Sequence, residues 1–256
     1  MPEGPEALIN EKFLRKLFLG KKLTKIISNT KSIVKLPKIE KVLDTGSHGK
    51  IFWLKTRSMY INIHLGISGW FVTEKPRIFK YILESGRTKA YLEDRRRFSK
   101  IVITDRKEHD NLINKLGVNI LSKNFTLEKF ISIVESKKKM ISALLLDQSE
   151  FAGIGNYIKN EALYRARINP TKLTSKLSKN SLKKLYNAIR YVSFSVARMW
   201  FISYNLKYPL SNIEPKKVTS NYKFQVYGRD KDRYGNKITL ETIAGRDTYY
   251  VKKLQK

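Results

Sequence analysis

An α+β fold is expected: a strand-rich first half, a helical second half and a small terminal β-hairpin unit. Three observations predict it. Between 23 and 105 short apolar runs alternate with turn residues, and several, such as Tyr60-Ile61-Asn62-Ile63-His64-Leu65, show the alternation of half-buried antiparallel strands. From about 107 the apolar residues return at helical intervals instead. Beyond Pro209 and Pro215, which punctuate a polar stretch, short strand-like runs resume. Many short strands joined by Gly and Ser turns suggest an antiparallel β-sandwich or a barrel for the first half.

Taken in order, Ala7, Leu8, Phe13, Leu14, Leu17 and Phe18 fall at helix-like intervals, so a first helix is expected over 6–19, with Gly20 as its stop. Strands are expected at 23–27, 51–54, 59–65, 70–72, 80–83, 90–92 and 101–104. Helices follow at 107–116, 126–136, 140–147, 156–166 and, as one long segment, 178–204. The runs 222–228, 237–243 and 247–252 suggest a hairpin unit, with Asp232-Arg233-Tyr234-Gly235-Asn236 as its turn. Three domains are drawn at 1–115, 116–215 and 216–256. The chain shows no internal repeat and no low-complexity tract.

Charge constrains the partners. With 52 Lys+Arg against 22 Asp+Glu the formal net charge is +30, which suggests a polyanion, most simply nucleic acid bound in a salt-dependent way. Hydrophobic residues at 41% suffice for a core. No apolar run approaches the ~20 residues of a membrane span, and Pro-Glu-Gly-Pro-Glu resembles no secretory leader, so an intracellular protein with no membrane partner is expected. Cysteine is absent, which excludes disulfides and cysteine-held zinc, and His48, His64 and His109 are too scattered to suggest a metal site. No metal and no organic cofactor are expected.

The opening Met1-Pro2-Glu3-Gly4-Pro5-Glu6 carries chemistry if the methionine is removed, as the small Pro2 predicts. A terminal proline is a secondary amine, able to attack an aldehydic carbon and form a charged iminium directly. An α-amino group titrates near ~8, so a useful fraction is nucleophilic at neutral pH. Glu3 follows directly and Glu6 lies one helical turn on, so an acid/base group is within reach. The alternatives are that these residues form a floppy arm, or that Pro5 merely occupies the first turn of a helix.

Four further segments stand out. Gly46-Ser47-His48-Gly49-Lys50 brings a lysine to the start of a strand, either to hold a phosphate or oxyanion or as a solvated side chain. Gly153-Ile154-Gly155-Asn156-Tyr157 opens a helix with bare backbone N–H groups that suit an anion, with helix capping by Asn156 as the structural alternative. Asp94-Arg95-Arg96-Arg97-Phe98 offers guanidinium groups and a ring suited to insertion into a duplex. Gly245-Arg246-Asp247-Thr248-Tyr249-Tyr250 places an arginine near a hairpin tip, where it could clamp phosphates. Each of the last two is also compatible with an ordinary basic loop.

In this order, together with His64-Leu65-Gly66-Ile67-Ser68-Gly69, Glu161-Ala162-Leu163 and Gln225-Val226-Tyr227-Gly228-Arg229, these motifs resemble the Fpg/Nei family of bifunctional DNA glycosylases over nearly the whole chain. The resemblance implies a catalytic β-sandwich domain, a helix–two-turn–helix DNA-binding domain and a terminal finger. It implies Pro2 as the nucleophile toward C1′ of a damaged nucleoside, Glu3 and Glu6 as acid/base carboxylates, and Lys50 as a phosphate contact that helps the chemistry. Asn156 and Arg246 would grip phosphates beside the lesion, and Ile67, Arg96 and Phe98 would fill the void left by a flipped nucleotide. Damaged DNA, double-stranded or single-stranded, is the implied partner, and a monomer is expected. The implied reaction is base removal through a Schiff base on Pro2, then β,δ-elimination.

The chain departs from the family pattern in three ways. The terminal unit lacks the usual four zinc-binding cysteines and so resembles the zinc-independent finger of some Nei-like members, with Tyr222, Phe224, Tyr227, Tyr234, Ile238, Leu240, Tyr249 and Tyr250 as its candidate packing. Ile67 stands where methionine is commoner, and Ser99 where a glycine is. The opening motif is closer to the Nei-like branch, which implies oxidised pyrimidines and hydantoins as substrates. An abasic-site lyase without base excision and a non-enzymatic damaged-DNA-binding protein remain the alternatives.

Overall fold

The computed structural model describes residues 1–29, the backbone of 33–34, and 36–256. The chain divides into two compact units, one formed by Met1–Pro2 and Glu6–Lys115, the other by Glu3–Pro5 and Leu116–Lys256.

The first unit begins, from Glu6 on, with helix α1 (Gly4–Phe18) and continues through strands β1 (Lys22–Leu23), β2 (Lys25–Ser28), β3 (Ile33–Val34), β4 (Glu40–Lys41), β5 (Asp44–His48), β6 (Ile51–Lys55), β7 (Tyr60–His64), β8 (Trp70–Val72), β9 (Tyr81–Ser85), β10 (Thr88–Glu93) and β11 (Lys100–Thr104) to helix α2 (Arg106–Asn114). Two antiparallel sheets form, one in the order β3-β2-β9-β10-β8 and one in the order β11-β7-β6-β5. Their inward residues share one core: Phe71, Leu83 and Leu92 from the first sheet meet Phe52, Ile61 and Ile63 from the second, with Leu14 and Phe18 of α1. Burying each such side chain stabilises the fold by about 1.5–3 kcal/mol. Of the two arrangements that the alternating runs leave open, sandwich or barrel, the first unit forms the sandwich.

The alternation misleads in β7. Its outward residues Tyr60 and Asn62 are buried as well, because α2 lies over that face. Asn62 Oδ1 is 2.7 Å from His109 Nδ1, and the His109 ring stacks on Tyr60 at 3.9 Å. Asp105 and Glu108 form a reciprocal capping box that starts α2. His109 is thereby a packed structural residue. Among the described residues no group of three or more His, Cys, Asp or Glu could hold a metal ion.

The second unit contains β12 (Val118–Asn119), α3 (Leu127–Glu135), α4 (Ile141–Leu146), β13 (Phe151–Ala152), α5 (Asn156–Ala166), α6 (Lys179–Ser203), β14 (Thr239–Ile243) and β15 (Arg246–Tyr250). Helix α4, two turns through 147–155 and helix α5 form a helix–two-turn–helix. Helix α5 is buried at every position except Arg165, which is why it shows no amphipathic stripe. Leu182, Leu185, Ile189, Val192 and Val196 line the buried face of α6, the spacing that makes the long helix readable in the sequence.

The terminal hairpin differs from expectation in detail. Residues 222–228 are not a strand, and the turn joining β14 to β15 is Ala244-Gly245, with φ of 51° and 72°, rather than 232–236. Positive φ at both central residues is the two-residue turn that matches strand twist. The 232–236 loop is instead wound around Asp232, whose Oδ1 accepts from the N–H groups of Tyr234 and Asn236, each at 2.9 Å, while Oδ2 accepts from the Tyr164 hydroxyl at 2.9 Å.

The 222–227 stretch wraps a second carboxylate, that of the fully buried Glu161 on α5. It accepts from the N–H groups of Gln225, Val226 and Tyr227 and from the Tyr222 hydroxyl at 2.7 Å. Burial and the Glu161 carboxylate push the Tyr222 phenol well up. Val226, Ile238 and Val251 pack with Tyr164 and Tyr249. Tyr234 and Leu240, expected in this packing, are 59% and 56% exposed, since the Asp232 turn and the outer face of β14 turn them to solvent.

Candidate active site

Pro2 is half-buried and precedes the helix that starts at Gly4. The next residue, Glu3, is fully buried, and its carboxylate is bound by the backbone at the N-terminus of α5. Oε2 accepts from the N–H of Gly155 at 2.7 Å and of Ile158 at 3.2 Å, and Oε1 accepts from the N–H of Tyr157 at 2.7 Å. The Gly4 N–H also donates to the Gly153 carbonyl at 2.9 Å. Three N–H donors at the positive end of a helix favour negative charge on the carboxyl.

The bare N–H groups expected at 153–157 therefore do meet an anion, but it is the chain's own Glu3. Gly155 is required by this contact: a Cβ there would sit 2.3 Å from the Glu3 carboxyl carbon.

Asn156 begins α5 but does not cap it; Gly155 holds the cap position. The Asn156 amide donates to the Asp247 carbonyl at 2.7 Å, which ties the helix start to β15, while its Oδ1 is buried with no hydrogen-bond partner. One residue further along β15, Thr248 Oγ1 accepts from Lys159 Nζ at 2.8 Å and donates to the Arg246 carbonyl at 3.0 Å. Arg246 itself is exposed beside the Ala244-Gly245 turn. Glu3, Asn156 and the strand bearing Arg246 thus converge in the second unit. Tyr227 belongs to the same cluster: burial and then the Glu3 charge push its phenol up. Glu6, in the first turn of α1, is buried at 7% exposure.

The remaining expected residues lie in the first unit. Lys50 occupies a two-residue turn with Gly49 (φ 58°) and leads directly into β6, while the strand β5 over Asp44–His48 is not among those the sequence predicts. Burial and the charges of Lys50 and Lys100 hold the neighbouring His64 below the usual imidazole range. Its Nδ1 accepts from the Gly66 N–H at 3.0 Å, which requires that nitrogen to be unprotonated.

Two loops are braced side by side here. Asp94 Oδ1 accepts from the Ser68 hydroxyl at 2.6 Å and Oδ2 from the Ser99 N–H at 2.7 Å. Gly66, with φ of 66°, lies so close to the Phe98–Ser99 peptide that a Cβ would be 2.5 Å from the Phe98 carbonyl carbon. Ile67 is thereby held near Arg96 and Phe98. Phe98 is 52% exposed and Arg96 stacks over its ring at 5.5 Å.

Sequence reasoning passed over Lys159 and named Glu161 only within the Glu161-Ala162-Leu163 motif, without a role. Lys159 is fully buried beside Glu3, and Glu161 organises the terminal unit. The available signal was a lysine and a glutamate, two positions apart, in a helix whose one other charged residue is Arg165 near its end.

Residues 1–101 match the family model of the formamidopyrimidine-DNA glycosylase N-terminal domain, and residues 116–197 that of the formamidopyrimidine-DNA glycosylase H2TH domain. The formamidopyrimidine-DNA glycosylase of Pelotomaculum thermopropionicum is 28% identical over all of this chain and 99% of its own length. That of Arabidopsis thaliana is 26% identical over all of this chain and 71% of its own length. The crystal structure of MutM (Fpg) from Thermus thermophilus superposes with a TM-score of 0.80 at 25% identity, covering 99% of this chain and 98% of that one. With the two family models following one another along the chain and full-length relatives of the same name, the chain belongs to the Fpg/Nei family of DNA glycosylases.

Proposed function

We propose that the protein is a base-excision-repair DNA glycosylase that also cleaves the strand, with the Pro2 amine as its nucleophile. The observation that carries this is the adjacency of Pro2 to a buried carboxylate held by three backbone donors. The Pro2 nitrogen attacks C1′ of a nucleotide extruded from the stack, the C1′–N bond to the base breaks, and the base leaves with a proton. Opening of the sugar at O4′, which takes up a proton, leaves an iminium on Pro2.

A fixed negative charge beside that nitrogen stabilises the cation, and Glu3 and Glu6 serve the proton transfers. The iminium withdraws electrons from C2′; loss of a C2′ proton expels the 3′ phosphate, and a second elimination expels the 5′ phosphate. Lys50 contacts a phosphate. The net charge of +30 and the exposed Arg246 suit a DNA backbone, with Asn156 as a second phosphate contact. Ile67, Arg96 and Phe98, braced on two neighbouring loops, fill the gap left by the extruded nucleotide. The likeness of the opening Pro2-Glu3-Gly4-Pro5-Glu6 to the Nei-like branch makes oxidised pyrimidines and hydantoins the proposed substrates here.

Borohydride trapping and strand cleavage on duplexes carrying thymine glycol, dihydrothymine, a hydantoin, 8-oxoguanine or an abasic site test this. Trapping on oxidised-pyrimidine duplexes is expected. Trapping on the abasic duplex alone would leave a lyase, no trapping on any duplex would leave a binding protein, and fastest excision of 8-oxoguanine would overturn the substrate assignment.

A further inference from the structure

A lysine at 0% exposure is uncommon, since burying an ammonium costs several kcal/mol unless its surroundings repay it. Lys159 lies one turn into α5. Its ammonium donates to Thr248 Oγ1 at 2.8 Å, and that hydroxyl passes the connection to the Arg246 carbonyl at 3.0 Å. The groups facing it are Glu3 from the N-terminal segment and Arg246 and Asp247 from β15; Tyr227 lies near Glu3 and Asp247 on the remaining side. The same helix turn donates to Glu3 through the Tyr157 and Ile158 N–H groups and to β15 through Asn156. The strand bearing Arg246 and the carboxylate next to Pro2 are therefore fastened to one turn of helix, with a single buried cation between them.

We propose that Lys159 is a positioning residue: its buried ammonium holds the Glu3 carboxylate and the Arg246 strand in register on α5, so that loss of its charge loosens both at once. This rests on the role given to Glu3 above. Burial, and next the nearby Arg246 charge, lower the Lys159 amine to about 8 against the attraction of Glu3, so the device releases under mildly alkaline conditions. Alkaline conditions also make an α-amine more nucleophilic by removing its proton, which acts on the rate in the opposite direction.

The test is single-turnover borohydride trapping on a duplex with one abasic site, from about pH 6 to about pH 10, with the full chain, Lys159→Met and Lys159→Arg. The wild-type rate should rise and then fall above about pH 8. Lys159→Met should be slower at neutral pH by about tenfold and lack the alkaline fall, because there is no proton left to lose. Lys159→Arg, charged throughout, should recover the neutral-pH rate and also lack the fall.

An alkaline fall that persists unchanged in either variant, or a Lys159→Met profile equal to wild type, would overturn the proposal. A Lys159→Met chain that fails to melt cooperatively leaves the decision to Lys159→Arg. If the wild-type chain traps nothing at any pH, the proposed function has failed instead. Binding of a tetrahydrofuran-site duplex then decides, with equal affinity of wild type and Lys159→Met overturning the positioning role.

Discussion

Replacing Glu3 by glutamine is the usual way to silence an acid/base carboxylate while keeping its shape, and here it should do more. The carboxylate accepts three backbone N–H bonds, two on Oε2 and one on Oε1. Glutamine has one acceptor oxygen. Its better orientation keeps the bonds from Gly155 and Ile158 and turns an amide N–H₂ toward the Tyr157 N–H, so one charge-assisted bond is lost and two donors face each other. A hydrogen bond to a charged group contributes about 1.5–3 kcal/mol. Loss of the negative charge at the helix N-terminus adds roughly 0.3–1 kcal/mol. A local loss of about 3 kcal/mol corresponds to about a hundredfold increase in opening of the first turn of α5. Hydrogen exchange resolved at the Tyr157 amide reads this directly. The expected result is about a hundredfold faster exchange at Tyr157 with little change in α6, together with weaker binding of an abasic-analogue duplex, since Asn156 sits on the same turn. Unchanged exchange at Tyr157 in Glu3→Gln would refute the view that this carboxylate organises the helix start.

Other outcomes follow from the same geometry. With no cysteine in the chain and the 222–227 and 232–236 stretches wound on Glu161 and Asp232, treatment with a strong chelator should leave the melting curve and activity unaltered, as checked by calorimetry and strand cleavage. Phe98→Ala should slow excision of a lesion in duplex more than in single-stranded DNA, because single strands largely avoid unstacking. Arg96→Ala should flatten discrimination of the base opposite the lesion, and kinetics on the four opposite bases measure it.

The Lys159 amine titrates near 8 in the fold and near ~10.4 when unfolded, so between those values the unfolded chain binds more protons and stability rises with pH. Relative to Lys159→Met, the wild type should therefore gain up to ~3 kcal/mol of global stability between about pH 7 and about pH 10, read by urea unfolding, even as the local hold on Glu3 and β15 is released, because burying the ammonium costs the fold more than those contacts return.

Most strands of the two large sheets, the six α-helices of the described residues and the order of landmarks were legible because each rests on a local pattern. Alternation marks Tyr60–His64 and helical spacing marks Leu182–Val196. Patterns of this kind report what a residue is, not what lies against it. The alternation of β7 points Asn62 outward, and nothing local announces that α2 covers it. The stretch 153–157 suggests an anion site by its bare N–H groups, but the acceptor that the N–H groups of Gly155, Tyr157 and Ile158 meet is the carboxylate of Glu3, more than a hundred and fifty residues away in the chain. Lys159 was invisible for the same reason: its partners Glu3 and Thr248 come from opposite ends of the sequence. In the terminal hairpin, Asp232-Arg233-Tyr234-Gly235-Asn236 carries stronger turn residues than Ala244-Gly245, yet it encloses a carboxylate instead of joining the strands. The aromatic residues there also do not announce exposure, as Tyr234 shows.

The central claim is that the reacting amine belongs to Pro2. Borohydride-trapped adducts on an abasic duplex should be digested and the modified peptide sequenced by mass spectrometry, alongside Pro2→Gly and a form extended so that the methionine is kept. The account predicts that the sugar is attached to the proline nitrogen of a chain lacking Met1. Pro2→Gly and the extended form should give no adduct at comparable yield while still binding a tetrahydrofuran-site duplex. An adduct on a lysine side chain such as Lys50, or undiminished trapping in both altered chains, would contradict it.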